Sequence, residues 1–503
     1  MPADERTRRG FLRAGIAAAV AAGLAGCRSD GEETVEPTPP ETETPTDPAP
    51  TETAPPTPTP SPSPTPVPEI VERYGDRYDS IVNVAQAASG DASVGEVVAE
   101  GLNTDDTLLY FPTGEYELPE LRVRDVRNVG IASLPRDDAV IRPAVPRAEF
   151  REAFIDFRDV ADVLLEGVTF DYTKSGFGGS LRLVTHGNFI ARDLRTKGKL
   201  PDTDKSRKHV AYRFDVQDEE GIGLVERVVA RDGGHDGGNG VGIFVGKDHA
   251  GTVTFRDCEV ANFPNNGLYA SAPGANYDGY RGANGAVHVR GGRYENNNIA
   301  NIRIGSTGST VRHATVVVDK VPPTISESDL NVRGIRLRAR NGQVVEDCDI
   351  HIGEDAGEGF GAISYHPDHG SSTIKDTRIR VDRDNFSAID ATHANGGGTE
   401  APLAFENVTI TGQASEGATV DIADRHGTTF RNCQIEQSGD DREGIVFTNS
   451  EDCLVAESTI KVTGDPIELN NSTVDREALT FGTPNVSDDP EPNDLGGPGQ
   501  TGP

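Results

Sequence analysis

The amino-acid sequence predicts an all-β solenoid, and three observations carry that prediction. A six-residue template, apolar–x–x–small or apolar–x–apolar, returns about eleven times between residues 126 and 460. A second short strand pattern recurs once in each period. The 503 residues include 57 Gly and 33 Pro but no Trp, and only 35% are hydrophobic. That composition suits short strands and tight turns and argues against a helical bundle or a membrane channel. The 81 acidic residues outweigh 48 basic ones, for a formal charge of −33. A nucleic-acid binder is excluded on that ground, because phosphate neutralisation needs clustered Lys and Arg. The acidity reads as a surface suited to high salt, where repulsion is screened.

At the N-terminus, Arg8-Arg9-Gly10-Phe11-Leu12-Arg13 precedes an apolar run, Ala14 to Ala25, that ends in Leu24-Ala25-Gly26-Cys27. The run is too short for a bilayer-spanning helix, which needs about 20 apolar residues. The pair of arginines resembles a twin-arginine export signal, and the end of the run resembles a lipoprotein box. These resemblances imply folded export, lipidation of Cys27 and removal of the preceding residues. With the acidity, they imply an exported, membrane-anchored lipoprotein of the kind found in halophilic archaea. The expected organisation is a signal over 1–27, a Pro/Thr/Glu stalk over 28–72, a β-solenoid over 73–476 and an acidic tail over 477–503. The stalk has almost nothing apolar to bury and should stay extended. Ile81 to Leu102 has near-helical apolar spacing and is expected to cap the first coil, protecting its unpaired backbone groups.

The body is built from the template. Instances are Val126-x-x-Val129-x-Ile131, Leu165-x-x-Val168-x-Phe170, Phe255-x-x-Cys258-x-Val260, Val345-x-x-Cys348-x-Ile350 and Phe430-x-x-Cys433-x-Ile435, with a weaker copy around Leu194. The residue before the centre is often Asn, Asp or Gly, which tolerate left-handed backbone. Each template therefore reads as strand, one-residue kink, strand. Second strands include Gly267–Ala270, Asn301–Ile304, Gly334–Leu337, Ala362–Tyr365, Ala388–Ala391 and Gly444–Phe447. An irregular period of two to three dozen residues describes a solenoid, whereas a β-sandwich would not repeat one template so often. Cys258, Cys348 and Cys433 fit as small inward residues and Cys453 lies outside the template; none has the paired spacing of a zinc site.

The pattern resembles right-handed parallel β-helix proteins of the pectate-lyase-like superfamily over about residues 79–475. Thr107-Leu108-Leu109-Tyr110-Phe111-Pro112-Thr113-Gly114-Glu115-Tyr116 is similar to their first-coil motif. The resemblance implies a right-handed parallel β-helix of about twelve coils with an N-terminal cap helix. It also implies a polysaccharide partner lying across an outer sheet.

Aligning the second strands places Arg182, Arg213, Tyr269, Arg303, Arg336, Ser364, Asp390 and Asp421 in one outward row. Asp215, Ser271, Arg338, His366 and Thr392 stand two residues further on. At about 4.8 Å per rung, Arg182 to Arg336 spans roughly 25 Å. Arginine forks grip carboxylate and sulfate through two oxygens, and Tyr offers a stacking face. The binding candidates are thus Arg182, Tyr269, Tyr280, Arg281, Arg303, Arg336, Arg338 and His366. The competing reading is a solvated sheet whose arginines pair with neighbouring acids.

The catalytic candidates, Arg213, Asp232, His235, Asp236 and Lys247, come from the Gly-rich segment Asp232–Gly240 and its surroundings. His and Asp there supply an acid and a base, and Asp236 with Asp278 from the insertion Ser271–Asn284 forms a candidate Ca²⁺ pair. The resemblance implies lyase or hydrolase chemistry on a uronate-containing polysaccharide. However, Gly234-His235-Asp236 departs from the hydrolases' Gly-His-Gly motif, and His366-Pro367-Asp368-His369 has the elements of an epimerase Asp-Pro-His triplet only in scrambled order. Function therefore stands between a surface lipoprotein that binds an anionic glycan and an enzyme acting on one, as a monomer outside the cell.

Overall fold

A computed structural model describes residues 67–135, 137–201, 209–277, 279–326, 329–391 and 401–484. Three long parallel sheets wind around one core. Sheet 1 has 15 strands, from Ser80–Asn83 to Val474–Glu477. Sheet 2 has 13, from Leu121–Arg124 to Ile467–Asn470. Sheet 3 has 14, from Gly114–Leu118 to Thr480–Gly482. The chain passes from sheet 1 to sheet 3, then to sheet 2, then to the next strand of sheet 1. This is the right-handed parallel β-helix that the repeat implied, with more strands per sheet than the expected twelve coils.

The kinks explain the corners. Between sheets 1 and 3 the backbone turns through a single left-handed residue, including Gly167 (φ 75), Asp193 (φ 54), Asp257 (φ 50), Asp347 (φ 49), Asp376 (φ 50), Asn407 (φ 55) and Asn432 (φ 51). Arg227, His313 and Glu457 hold the same conformation without being turn formers. The corner geometry, not the residue type, is therefore the constant. The Asn kinks also link rung to rung: Asn432 Nδ2 donates to Asn407 Oδ1 at 2.7 Å, and Asn407 Nδ2 to Asp376 Oδ1 at 2.9 Å. The instance at Val126 is the exception. Its kink, Asn128, precedes the sheet 1 strand Val129–Ala132 and so turns the corner out of sheet 2.

Inward residues form continuous ladders. Phe405 and Phe430 are paired on successive rungs, with rings 4.5 Å apart and nearly parallel. Cys258, Cys348, Cys433 and Cys453 are all buried with free thiols. Burial pushes the thiols of Cys258 and Cys348 up to about 12, as befits core residues.

The expected cap is split. Ile81 lies in the first strand of sheet 1, and the apolar spacing after it forms two helices, α2 (Val84–Ala87) and α3 (Val94–Leu102). They follow α1 (Val67–Tyr74). Asn83 and Ser93 supply the N-caps, the latter in a capping box with Glu96. Val98 and Leu102 of α3 are fully buried against the first coil. The last residues of the drawn stalk, 67–72, belong to α1, whose Ile70 and Tyr74 pack on the outside of sheet 1 with Leu108 and Leu164. Buried Glu166 anchors the helix through Arg73 and Tyr74 and also pairs with Arg192 on the next rung of sheet 1. At the other end, sheet 3 continues to Gly482, inside the drawn tail. Cys27, the export signal and residues 28–66 lie outside the described residues.

Candidate functional site

Sheet 2 holds the predicted row in unbroken register. Successive rungs pair Arg122 with Asp156, Asp156 with Arg182, Arg182 with Arg213, Arg213 with Phe244, Phe244 with Tyr269, Tyr269 with Arg303, Arg303 with Arg336, and Arg336 with Ser364. Phe244 fills the rung between Arg213 and Tyr269, which the row aligned from the sequence does not include. Asp390 and Asp421 continue the row above Ser364. Thr392, one of the residues two positions on, lies outside the described residues.

The two halves of the row differ in charge compensation. In the lower half each arginine has an acid. Arg124 meets buried Asp156 at 2.5 Å, and Arg158 meets Asp156 at 3.2 Å and Glu152 at 2.8 Å. Arg182 reaches Glu152 at 3.6 Å, and Arg213 holds fully buried Asp215 at 2.5 Å, whose other oxygen accepts from Gly246 N. Asp215 is therefore a structural counter-ion, and Arg213 is committed to it.

In the upper half Arg338 pairs with Asp368, but Arg303, Arg333 and Arg336 make no ion pair with a described carboxylate. Arg303 is 6% exposed, donates from Nε to Ser271 Oγ at 2.8 Å and lies 4.3 Å from the Tyr269 ring centroid. Arg333 packs 4.0 Å from the Phe360 ring and donates only to carbonyl and amide oxygens. Arg336 has no hydrogen bond or ion pair with any described residue, and its buried Nε lacks a partner. Burial first, then repulsion from Arg333, Arg303 and Arg338, drives Arg336 well below the usual guanidinium range. Burial likewise pushes Arg333 down to about 9. A guanidinium keeps its proton at neutral pH, so this repulsion is an electrostatic cost that a bound anion would relieve.

The insertion Ser271–Asn284 forms one wall. Asn276–Tyr277 and Tyr280–Arg281 pair as a small antiparallel hairpin, with the two tyrosine rings stacked at 5.1 Å. Arg340 ties its base by donating to Gly274 O at 3.0 Å, and Arg338 lies 5.7 Å from the Tyr277 ring. Tyr277 is 44% exposed. The Tyr280 phenol is raised by burial and by the neighbouring Tyr269 and Tyr277. Arg281 is exposed at the hairpin edge.

Above Arg338 stands His366, the residue after Tyr365, whose rung partner is Leu337. Its Nδ1 pairs with Asp368 Oδ1, and Asp368 also takes Arg338 Nε at 3.3 Å and Ala339 N at 3.2 Å. Desolvation pushes the imidazole down to about 4, only partly offset by Asp368. Fully buried Arg425 fixes this turn from behind, donating to the carbonyls of His369 at 2.6 Å and His366 at 3.4 Å. The sequence placed His366 in a binding row and showed Asp368 only within a scrambled triplet, so the pair went unread. The His-x-Asp spacing at a strand end was the available signal.

The other catalytic candidates do not gather into one cleft. Asp232, His235 and Asp236 lie on the corner leading into the strand Gly240–Phe244, whereas Lys247 follows that strand's far end. A five-residue strand spans about 16 Å. Each candidate also has a local occupation. Asp232 accepts from Gly198 N at 2.7 Å, and Asp236 accepts from Thr324 N at 3.0 Å. His235 Nδ1 contacts Asp236 O at 2.7 Å, and Lys247 pairs with Asp248 at 3.3 Å. The expectation of an acid and a base converging at this loop is therefore corrected: the carboxylates serve as turn and loop ties. Asp278, partner of Asp236 in the expected Ca²⁺ pair, lies outside the described residues. Among the described residues no group of three or more His, Cys, Asp or Glu side chains is arranged to hold a metal ion.

No family model and no curated protein matches the chain. Solved structures with a similar fold include the A-module of the mannuronan C-5 epimerase AlgE6 of Azotobacter vinelandii (15% identity, TM-score 0.34, 75% of this chain and 91% of that one). Others are PfbA, a surface adhesin of Streptococcus pneumoniae (12%, TM-score 0.31, 78% and 86%), and the polygalacturonase of Erwinia carotovora (10%, TM-score 0.24, 82% and 95%). These are pectate-lyase-like right-handed β-helix proteins, and at such identities the likeness is one of fold alone.

Proposed function

We propose that this protein is a cell-surface lipoprotein that binds an anionic polysaccharide along the outer face of sheet 2, gripping it between Arg303, Arg336 and Arg338 and the Tyr277–Tyr280 hairpin. The carrying observation is Arg336, a guanidinium repelled by three others and without an anionic partner. In a chain with 81 acids, leaving that cluster uncompensated costs stability and favours a ligand that brings the missing negative charge. Exposed Tyr277 supplies a flat surface for a sugar ring beside it. The export signal, the lipid anchor at Cys27 and the stalk would hold the monomeric β-helix outside the membrane, facing a glycan rather than nucleic acid.

The test is retention on an immobilised polyuronate or sulfated polysaccharide in high salt. The wild type is expected to be retained and Arg303→Ala/Arg336→Ala to run free. Equal elution of the two would remove the reading.

A further inference from the structure

We infer that the C-terminal end of this β-helix is a modification site: Asn471, on the last corner of the coil, accepts an N-linked oligosaccharide that shields the open end. This rests on the export reading above, since the transfer takes place outside the cell.

The two ends of the coil are finished differently. At the first, α2 and α3 cover the core, and Val98 and Leu102 are fully buried. At the last, the sheets stop at Ile467–Asn470, Val474–Glu477 and Thr480–Gly482, and no described helix or strand follows. Leu469 and Phe481 stand in the inward ladders above buried Phe447 and Ile460, yet they are 39% and 48% exposed. Open strand edges beside an apolar floor invite pairing with another chain. The residues that follow, 485–503, include only Val486 and Leu495 as large apolar side chains, too few to cover that floor.

The sequence concentrates acceptor motifs at this end. None of the 16 Asn before residue 385 begins an Asn-x-Ser/Thr motif, whereas five of the nine from there on do: Asn385, Asn407, Asn470, Asn471 and Asn485. A chain exported folded presents only its surface to a transferase, so the amide and the hydroxyl two residues on must both be accessible. Asn471 and Thr473 are both exposed. Asn471 is a left-handed corner residue (φ 51) whose Nδ2 donates to Asn449 Oδ1 at 3.0 Å, and no described rung lies above it. Thr473 Oγ1 accepts from Asp452 N at 2.9 Å, which leaves its own proton to donate. The other motifs are more committed. Asn407 is bonded on both sides, to Asp376 and Asn432. Ser387 of the Asn385 motif donates to Ala418 O at 2.9 Å. Ser472 of the Asn470 motif donates to Asn470 O and accepts from Ser450 N, both at 3.0 Å. Asn485 lies outside the described residues.

The donor class is an oligosaccharide carried on a membrane lipid phosphate. Asn471 Nδ2 bonds to its anomeric carbon, the bond from that carbon to the phosphate oxygen breaks, and the phosphate leaves with the electron pair. The amide nitrogen gives up one proton to solvent. A sugar chain at this corner, two residues after Leu469, is bulky and hydrophilic and offers no strand to pair with, so it keeps a second chain from docking on the open end.

The experiment uses the full chain purified from the cells that make it, with export scored by protease added to intact cells. Peptide mass spectrometry is expected to find a sugar on Asn471 in the wild type and in Thr473→Ser. It should find none there in Thr473→Ala, which keeps the Asn471–Asn449 bond. In sedimentation the wild type should stay monomeric, and Thr473→Ala should self-associate at least about tenfold more tightly, with an unchanged circular dichroism spectrum that reports its folding. Bare Asn471 on an exported chain overturns this inference and leaves the export reading standing. A sugar on Asn471 with Thr473→Ala as monomeric as the wild type overturns the shielding role. A chain protected inside intact cells overturns the export reading, and this inference with it.

Discussion

The lower and upper halves of the arginine row share one sheet and one register, yet they carry charge differently. Below, Arg124 and Arg158 clasp buried Asp156, and Arg213 clasps buried Asp215. Above, Arg303, Arg333 and Arg336 face one another over Tyr269 and Phe360. The outer faces of sheets 1 and 3 resemble the lower half, with pairs such as Arg256–Glu226, Arg312–Glu346 and Arg378–Asp349 running between rungs. Arginine on this acidic β-helix is therefore usually a stitch between strands. The upper half of sheet 2 departs from that habit, and the departure points to function more strongly than the arginine count.

The comparison breaks most decisively in binding. Arg303→Ala/Arg336→Ala should weaken polyanion affinity about a hundredfold or more, on charge-assisted contacts of roughly 1.5–3 kcal/mol each. Arg124→Ala/Arg158→Ala should leave it within a few fold. Comparable losses in both pairs, measured by calorimetry, would erase the distinction between the halves.

Stability should show the opposite sign. Arg124→Leu strips the closest partner from a buried carboxylate and should cost about 3 kcal/mol. Arg336→Leu relieves repulsion and should stabilise by about 1 kcal/mol. Denaturant unfolding of the two variants checks this; destabilisation by Arg336→Leu would mean the cluster is structural.

Acid should act at the upper half. His366 is held down to about 4 and His369 to about 3, against an ordinary 6.5, chiefly by burial. Both are neutral when folded and take up protons when unfolded. The stability tied to them is present above about 6.5 and falls as pH drops towards 4. From pH 7 to pH 5 the loss is roughly 2 kcal/mol for each. His366→Asn/His369→Asn should flatten that slope in unfolding curves at the two pH values, whereas variants of the lower half should keep it.

The smallest effect belongs to the corners, which both halves share. Ala478 adopts the left-handed kink at φ 49 without a turn former's side chain. Ala478→Gly should gain up to about 1 kcal/mol, read as a higher midpoint in the same unfolding assay.

The fold was legible because its physics is local and repeated. Each kink needs a left-handed residue, each strand alternates inward and outward, and stacking adds the same pattern at every coil. Hence Asp257, Asp347 and Asn432 marked their corners, Arg182 to Asp421 came out in correct order, and even the weak copy at Leu194 was a rung. Arg227 and His313 turn corners that the template marked, although their residue type does not announce a left-handed kink; local pattern failed where helix and strand share apolar spacing, as across Ile81 to Leu102. Asp232, His235 and Asp236 misled for a related reason: Gly-rich corners attract the same polar residues that catalysis does.

By itself, the sequence determined the coil, its outward row and the identity of the arginines on it, because periodicity two fixes which way a side chain points. Only the tertiary structure decided which of those arginines have partners. Asp156 and Asp215 lie in the row or two residues along it, yet nothing in the linear order says that they neutralise Arg124 and Arg213 while no acid reaches Arg336. Ion pairing and desolvation depend on what neighbouring rungs and insertions bring within a few ångströms. The same is true of the His366–Asp368 pair, whose meaning comes from the arginines packed beside it and from Arg425, which reaches the turn from two coils away.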